Sequence, residues 1–191
     1  MAEWITNIDL SILDWIQEHL RCAFLDRFFP IVTVFGDKGL FWIAVALVLI
    51  CIKKTRKTGV MMGAALLIGV ILGNGIIKNV VARTRPYDFP GVEIDLLVSK
   101  LSDFSFPSGH TLASFECATV LMCRDKRLGI PALVLAVMIA LSRLYLYVHF
   151  PSDVLAGAIL GTGIGFFAVF IVGKIWNSAE RRIFEKRNKG N

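Results

Sequence analysis

Charge is scarce in this chain. Asp, Glu, Lys and Arg make up 19% of it, against a hydrophobic share of 55% and a mean hydropathy of +0.65. A water-soluble domain of 191 residues carries more charge and fewer long apolar runs. Soluble classes are thereby excluded, and a helical membrane bundle is implied. Cysteine is sparse too. Cys22, Cys51, Cys117 and Cys123 lie in or beside apolar segments with no CxxC pairing, which favours reduced structural thiols over a disulfide framework or a zinc site. The N-terminus lacks a basic region followed by an apolar core and a small-residue cleavage site, so no cleavable signal peptide is expected. Repeats, low-complexity tracts and linkers are missing as well, and one domain is expected over 1–191.

What is present is a series of apolar runs. Residues 4 to 20 place Trp4, Ile5, Ile8, Ile12, Leu13, Trp15, Ile16 and Leu20 among Asp9, Asp14 and Glu18, the spacing of an interfacial amphipathic helix. Residues 22 to 36 are interrupted by Asp26, Arg27 and Pro30 and read as a dip into the interface. Five candidate spans follow at about 37–53, 58–82, 106–123, 128–148 and 151–175, judged against the roughly 20 residues a crossing needs. The fold class is therefore all-α, an integral-membrane bundle of about five transmembrane helices with an N-terminal interfacial amphipathic helix. The expected organisation is an N-terminal segment at 1–36, a catalytic bundle at 37–175 and a basic cytoplasmic tail at 176–191.

The net charge of +6 would suit nucleic acid, but its distribution argues for topology instead. Lys53, Lys54, Arg56 and Lys57 fill one connection; Arg124, Lys126 and Arg127 fill another. Lys174, Arg181, Arg182, Lys186, Arg187 and Lys189 crowd the C-terminal end. Five spans put these thirteen of twenty-one basic residues on one side, which the positive-inside rule makes cytoplasmic. The other side takes eleven of the fifteen acidic residues and all three polar islands in the chain. A contact with anionic lipid fits this pattern, and nucleic acid does not.

Ionisable groups at the edge of a membrane span are costly and mark function by default. The first island is Lys78-Asn79-Val80-Val81-Ala82-Arg83-Thr84-Arg85-Pro86. Lys78 and Arg85 are seven residues apart, so one helix would carry both on one face, about 10 Å apart. Pro86 ends the helix at Arg85. An ammonium and a planar guanidinium suit a multivalent oxyanion, although a cluster of snorkelling anchors reads as well, and Arg83 is taken as such an anchor. The second island is Phe106-Pro107-Ser108-Gly109-His110-Thr111. Pro107 is expected to start a helix, leaving the N–H groups of Ser108 and Gly109 and the Ser108 hydroxyl as an anion site, with His110 beside a bound phosphate as a proton donor. An ordinary turn is the bland alternative. The third runs from Ser142 to Asp153. Arg143 ends one span, Pro151 opens the next, and His149 lies between, where Asp153 would fix its tautomer and free the other ring nitrogen as nucleophile or base.

The pattern Lys78-x6-Arg85-Pro86, Pro107-Ser108-Gly109-His110, then Ser142-Arg143-x5-His149-x3-Asp153 resembles the three-part signature of the type 2 phosphatidic acid phosphatase superfamily, relatives of acid phosphatases and vanadium haloperoxidases. Every fixed position is present, in order. The resemblance implies that His149 attacks phosphorus to form a phosphohistidine and that Asp153 orients it. It implies that His110 protonates the leaving group and then activates water. Lys78, Arg85, Arg143, Ser108 and Gly109 would hold the phosphoryl oxygens. That chemistry calls for no metal and no cofactor, and no carboxylate cluster here would hold a metal.

The expected partner is a lipid phosphate or prenyl diphosphate in the membrane, with undecaprenyl diphosphate the first choice. Phosphatidylglycerophosphate and phosphatidate fit the motif equally. A lipid phosphotransferase is the second enzymatic reading, and an inactive lipid-binding or transport protein is the reading from another class. Oligomeric state is left open. Gly157, Gly161, Gly163 and Gly165 read as close helix packing in lipid and not as a nucleotide loop. Asn74 is expected to support Lys78. Glu116 reads either as a structural carboxyl bonded to a neighbouring helix or as a group in the substrate pocket or a proton relay.

Overall fold

The structure, a computed structural model, describes residues 3–189, and only the backbone for 183, 184 and 186–189. Its helices are α1 (Glu3–Leu20), α2 (Ala23–Val34), α3 (Leu40–Cys51), α4 (Arg56–Gly69), the single turn α5 (Lys78–Val81), α6 (Gly109–Arg124), α7 (Lys126–Tyr145) and α8 (Pro151–Lys189). No strand occurs among the described residues. Four stretches are long and apolar enough to cross a membrane: Ala23–Cys51, Arg56–Asp88, Lys126–Tyr145 and Pro151–Arg182. At 16 residues α6 is shorter, yet it runs the length of the bundle between α4, α7 and α8.

Small residues let α6 and α8 meet at backbone distance. A β-carbon on Gly157, Gly161 or Gly165 would stand 2.8, 2.5 and 2.7 Å from the carbonyl oxygens of Ser108, Leu112 and Glu116. One glycine per turn thus tracks one α6 carbonyl per turn, the close approach that replaces hydrophobic driving force inside lipid. Gly163 faces nothing within 4 Å and is not part of this stripe. Around α6 a core of Trp42, Met61, Met62, Ala65, Cys117, Val120, Ala136, Ile139 and Ala168 is buried. Val80, Val134, Leu155, Ile159, Phe166 and Phe170 point outward, which suits an acyl-chain solvent.

The boundary expected between the 22–36 segment and the span at 37–53 is present, and the two stretches are separate helices, α2 and α3. Lys38 (φ 50) and Gly39 (φ 67) take left-handed backbone that no helix continues through. Both ends of α2 contact the end of the bundle that carries the polar islands. The Cys22 N–H donates to the Tyr145 hydroxyl, and Thr33 accepts from Arg143. Only α3 reaches the basic connection after Cys51. On α1, Trp4, Ile8, Ile12 and Trp15 are exposed while Thr6, Asp9 and Leu13 are buried. The amphipathic reading holds, with a buried acid that the interfacial reading did not foresee.

Sequence and structure differ at two helix ends in the islands. Lys78 and Arg85 do not share a helix, because Ala82 turns left-handed (φ 47) and α5 stops at Val81. Pro107 does not start α6; Ser108 is its N-cap and Gly109 its first residue. The stretch from 176, expected as a basic tail, continues α8. Residues 190–191 and the side chains of Lys186, Arg187 and Lys189 lie outside the described residues.

Candidate active site

Five elements deliver the islands to one end of the bundle. Residues 70–77 form a π-helical turn, a widening common at functional sites, and Lys78 follows it directly. Arg85 sits in extended backbone (ψ 155), as the residue before a proline should. Ser108 and His110 open α6, Arg143 lies in the last turn of α7, and Asp153 lies in the first turn of α8. His149 occupies the break between α7 and α8. Together with Ile43, Leu66, Gly69, Val70, Asn74, Leu112 and Glu116, five of these polar groups (Lys78, Arg85, Gly109, His110 and His149) line a cavity of about 420 Å³.

Arg85 is the hub. Its Nη1 donates to the Val148 carbonyl at 2.7 Å and lies 3.3 Å from His149 Nε2. Its Nε and Nη2 donate to the backbone carbonyl (2.9 Å) and to Oδ1 (2.6 Å) of Asp103. Lys78 Nζ holds the other Asp103 oxygen at 2.5 Å. One carboxylate therefore bridges the two cations that the sequence assigns to phosphate. Burial works to raise the Asp103 pKa, but hydrogen bonds and charge from Lys78 and Arg85 outweigh it and hold the group at about 2. Arg143 Nη1 donates to Thr33, while its Nε is buried without a partner, an orphan donor of the kind an anion satisfies.

The imidazole of His149 is 1% exposed. Burial first, then the positive charges of Arg85, Arg143 and Lys78, push its pKa well below the ordinary histidine value, so the ring is neutral and a nitrogen lone pair is available. Its other nitrogen, Nδ1, stands 3.7 Å from Asp153 Oδ2, too far for a direct hydrogen bond. The Ser105 hydroxyl lies between the two, donating to Asp153 Oδ2 at 2.5 Å and lying 3.4 Å from Nδ1. On the opposite wall, His110 Nε2 is 2.7 Å from Asp37 Oδ1. A neutral imidazole with a free lone pair, a carboxylate behind it, a second imidazole across the cavity and a set of cations between are groups that can transfer a phosphoryl group.

A family model, the PAP2 superfamily, matches residues 57–177, which include all three islands. The chain belongs to the PAP2 superfamily. An undecaprenyl-diphosphatase of Sulfolobus acidocaldarius is 39% identical over 68% of this chain and 63% of its own length. A decaprenylphosphoryl-5-phosphoribose phosphatase of Mycobacterium tuberculosis is 36% identical over 86% of this chain and 91% of its own. The crystal structure of a transmembrane phosphatidylglycerolphosphate phosphatase from Bacillus subtilis aligns with TM-score 0.68 and 27% identity, over 91% of this chain and 89% of that one. As a PAP2 protein the chain is a multi-pass membrane lipid phosphatase, a hydrolase of lipid phosphates.

Several residues around this PAP2 site are invisible to a motif reading. Arg83, taken as a snorkelling anchor, is buried. It donates to Asp153 Oδ1 at 2.6 Å, to Asp9 at 2.8 Å and to the Ser152 hydroxyl at 2.7 Å, with its guanidinium 3.8 Å over the Phe150 ring. Asp9 in turn accepts from the Ser152 N–H and hydroxyl. Asp153 is thus oriented from behind by a residue of α1 acting through Arg83. The Ser108 N–H, expected free for an anion, donates to the Asp153 carbonyl, and its hydroxyl accepts from Thr111. The first-turn donors left for a ligand begin at Gly109. Asn74 does not support Lys78. Its Oδ1 lies 3.0 Å from where a Gly109 β-carbon would be, so any larger residue there would require the Asn74 side chain to shift. The short-range signal that could have flagged Arg83 is its placement two residues before Arg85; Asp9, Asp37 and Asp103 have none.

Proposed function

We propose that the protein removes the terminal phosphate of a prenyl diphosphate at the extracytoplasmic face, with undecaprenyl diphosphate as the substrate. His149 Nε2 attacks phosphorus in line; the P–N bond forms as the P–O bond to the lipid phosphate breaks. His110 delivers the proton to the leaving oxygen and then takes one from the water that cleaves the phosphohistidine. Lys78, Arg85, Arg143 and the Gly109 N–H hold the three phosphoryl oxygens as charge develops on them. Asp153, held by Ser105 and Arg83, stabilises the imidazolium. One domain, 1–191, carries the whole reaction. The C-terminus is cytoplasmic, in keeping with the basic connections and the positive-inside rule.

The observation that carries this reading is the buried, neutral His149 with its Nε2 beside the Arg85 guanidinium in a cavity rich in cations. The substrate choice is supported by the Sulfolobus relative, named an undecaprenyl-diphosphatase. The test is phosphate release from undecaprenyl diphosphate, phosphatidate and phosphatidylglycerophosphate by detergent-purified protein with chelator present. Undecaprenyl diphosphate is expected to give the highest kcat/KM, and acid quenching is expected to trap protein-bound phosphate that His149→Ala abolishes. Dependence on added metal, or unchanged turnover in His149→Ala, would overturn the mechanism. For sidedness, a cysteine placed in 87–103, with Cys22 replaced, is expected to react with a membrane-impermeant reagent from outside. Labelling from the cytoplasmic side alone would reverse the orientation.

A further inference from the structure

The cavity does not end at the phosphate-binding groups. It continues between α3, α4 and α6 along Ile43, Leu66, Val70, Leu112 and Ala113, an apolar wall, until it meets Glu116. That carboxyl is 1% exposed, forms no salt bridge among the described residues, and its Oε2 is buried without a hydrogen-bond partner. An orphaned carboxyl oxygen in such surroundings is costly to keep. Its place is nevertheless built for it. Gly69 on α4 leaves the space that the carboxyl fills; a β-carbon there would collide with Oε2 and come within 2.7 Å of Leu112 Cδ2. On the other side of α6, Gly161 and Gly165 press the Glu116 backbone against α8. The side chain is thereby directed away from α8, toward the cavity.

Position says what it could meet. Six residues separate His110 from Glu116, about 9 Å along the helix axis, and side chains on a helix lean toward its N-terminus. The carboxyl therefore lies one to two turns below the groups assigned to the reacting phosphorus, at the depth of the atoms just beyond the scissile bond. Buried beside an apolar wall with no salt-bridge partner among the described residues, the carboxyl takes its uncharged form, which offers one O–H donor there.

We infer that Glu116 is a specificity-determining residue, donating a hydrogen bond to a substrate oxygen that lies beyond the bridging oxygen of the scissile P–O bond. The inference rests on the proposed placement of that group at His149. Two lipid classes carry such an oxygen: diphosphates, in the proximal phosphate, and glycerolipid phosphates, in the ester linkages. A prenyl monophosphate carries no oxygen beyond its bridging P–O–C atom, and the apolar wall alone would receive its chain. A site built to hydrogen-bond a substrate oxygen discriminates against an analogue without it, because the buried group is then left unpaired.

The test measures kcat/KM for farnesyl diphosphate, dioctanoyl phosphatidate and farnesyl monophosphate in wild type, Glu116→Gln and Glu116→Leu. The leucine variant is expected to lose tenfold or more, mainly through KM, on at least one oxygenated substrate and to stay within about twofold on the monophosphate. The monophosphate rate also shows that the variant is folded. Whichever oxygenated substrate falls identifies the source of the oxygen. Glu116→Gln, which keeps a donor, is expected to restore most of the loss. Equal losses on all three substrates, no loss on any, or a wild type that prefers the monophosphate would overturn the inference while leaving the phosphatase reading intact. A wild type that hydrolyses none of the three overturns that reading, and this one with it.

Discussion

Asp103 stands where the proposed phosphate would bind. Its carboxylate bridges Lys78 and Arg85, whose side chains are 8% and 3% exposed, while its own is 51% exposed. A substrate that uses those two cations has to displace it. Replacing Asp103 by Asn removes the charge and leaves its backbone carbonyl on Arg85 Nε. The size of the effect follows from the ionisation. The carboxyl is held at about 2 against an ordinary 3.8, a difference of about 2.4 kcal/mol. The side chain is half in solvent, so screening leaves roughly 1 kcal/mol of competition. That corresponds to a KM about fivefold lower in Asp103→Asn, with kcat unchanged and inhibition by product phosphate strengthened by the same factor. Initial-rate phosphate release over a substrate series, with and without added phosphate, reads all three quantities. The sign with pH is also fixed. A depressed carboxylate pKa means that the pairing is complete above 3.8 and is lost only as pH falls through about 2. The wild-type KM therefore shows no titration of this group between pH 5 and 9. If KM rises in Asp103→Asn, or kcat collapses, Asp103 holds the cations in place for the substrate and the competition argument is wrong.

Three further outcomes are expected. His149 is neutral when folded but titrates near 6.5 when unfolded, so the unfolded chain binds more protons below that value and stability falls as pH drops from 6.5; melting curves at pH 5 and 7 should differ less in His149→Asn than in wild type. Arg83→Ala leaves Asp9 and Asp153 as buried carboxylates without their cation and should cost about 3–5 kcal/mol of stability, while Asp9→Asn, which touches no substrate, should lower kcat by tenfold or more with little change in KM. Gly161→Ala drives a β-carbon to 2.5 Å from the Leu112 carbonyl and should destabilise by about 1–3 kcal/mol; Gly163→Ala, with open space around it, should be neutral in the same thermal assay.

Legibility in the sequence followed the range of each interaction. Gly157, Gly161 and Gly165 could be read as packing because one helix carries the whole pattern. Lys78, Arg85, His110, Arg143, His149 and Asp153 could be read because the resemblance ties them to fixed spacings. The direction of a side chain could not. Arg83 has the composition of an anchor, and only the left-handed turn at Ala82 sends it inward to Asp153. Asp9 lies 74 residues from Arg83 and Asp37 lies 73 from His110, distances that no local pattern spans. Ser105 is one residue outside the Phe106–Thr111 island, yet it stands between the His149 imidazole and the Asp153 carboxylate. The break at Lys38 and Gly39 was legible, since the polar stretch Gly36-Asp37-Lys38-Gly39 parts the 22–36 segment from the span expected at 37–53.

The first helix has a consequence for how the protein meets its bilayer. Its outer face presents Trp4, Ile8, Ile12 and Trp15, and its inner face grips Arg83 and Ser152 through Asp9. An apolar outer face of this kind suits a seat among lipid headgroups, and a helix seated there would be a lever whose other arm bears on the carboxylate behind His149. Bilayer thickness and lateral tension would then act on the outer arm, and a detergent micelle, which supports that arm differently from a flat leaflet, would act on it as well. Rates measured in micelles and in vesicles of graded chain length therefore report on the seating of Asp153 as well as on access of the lipid.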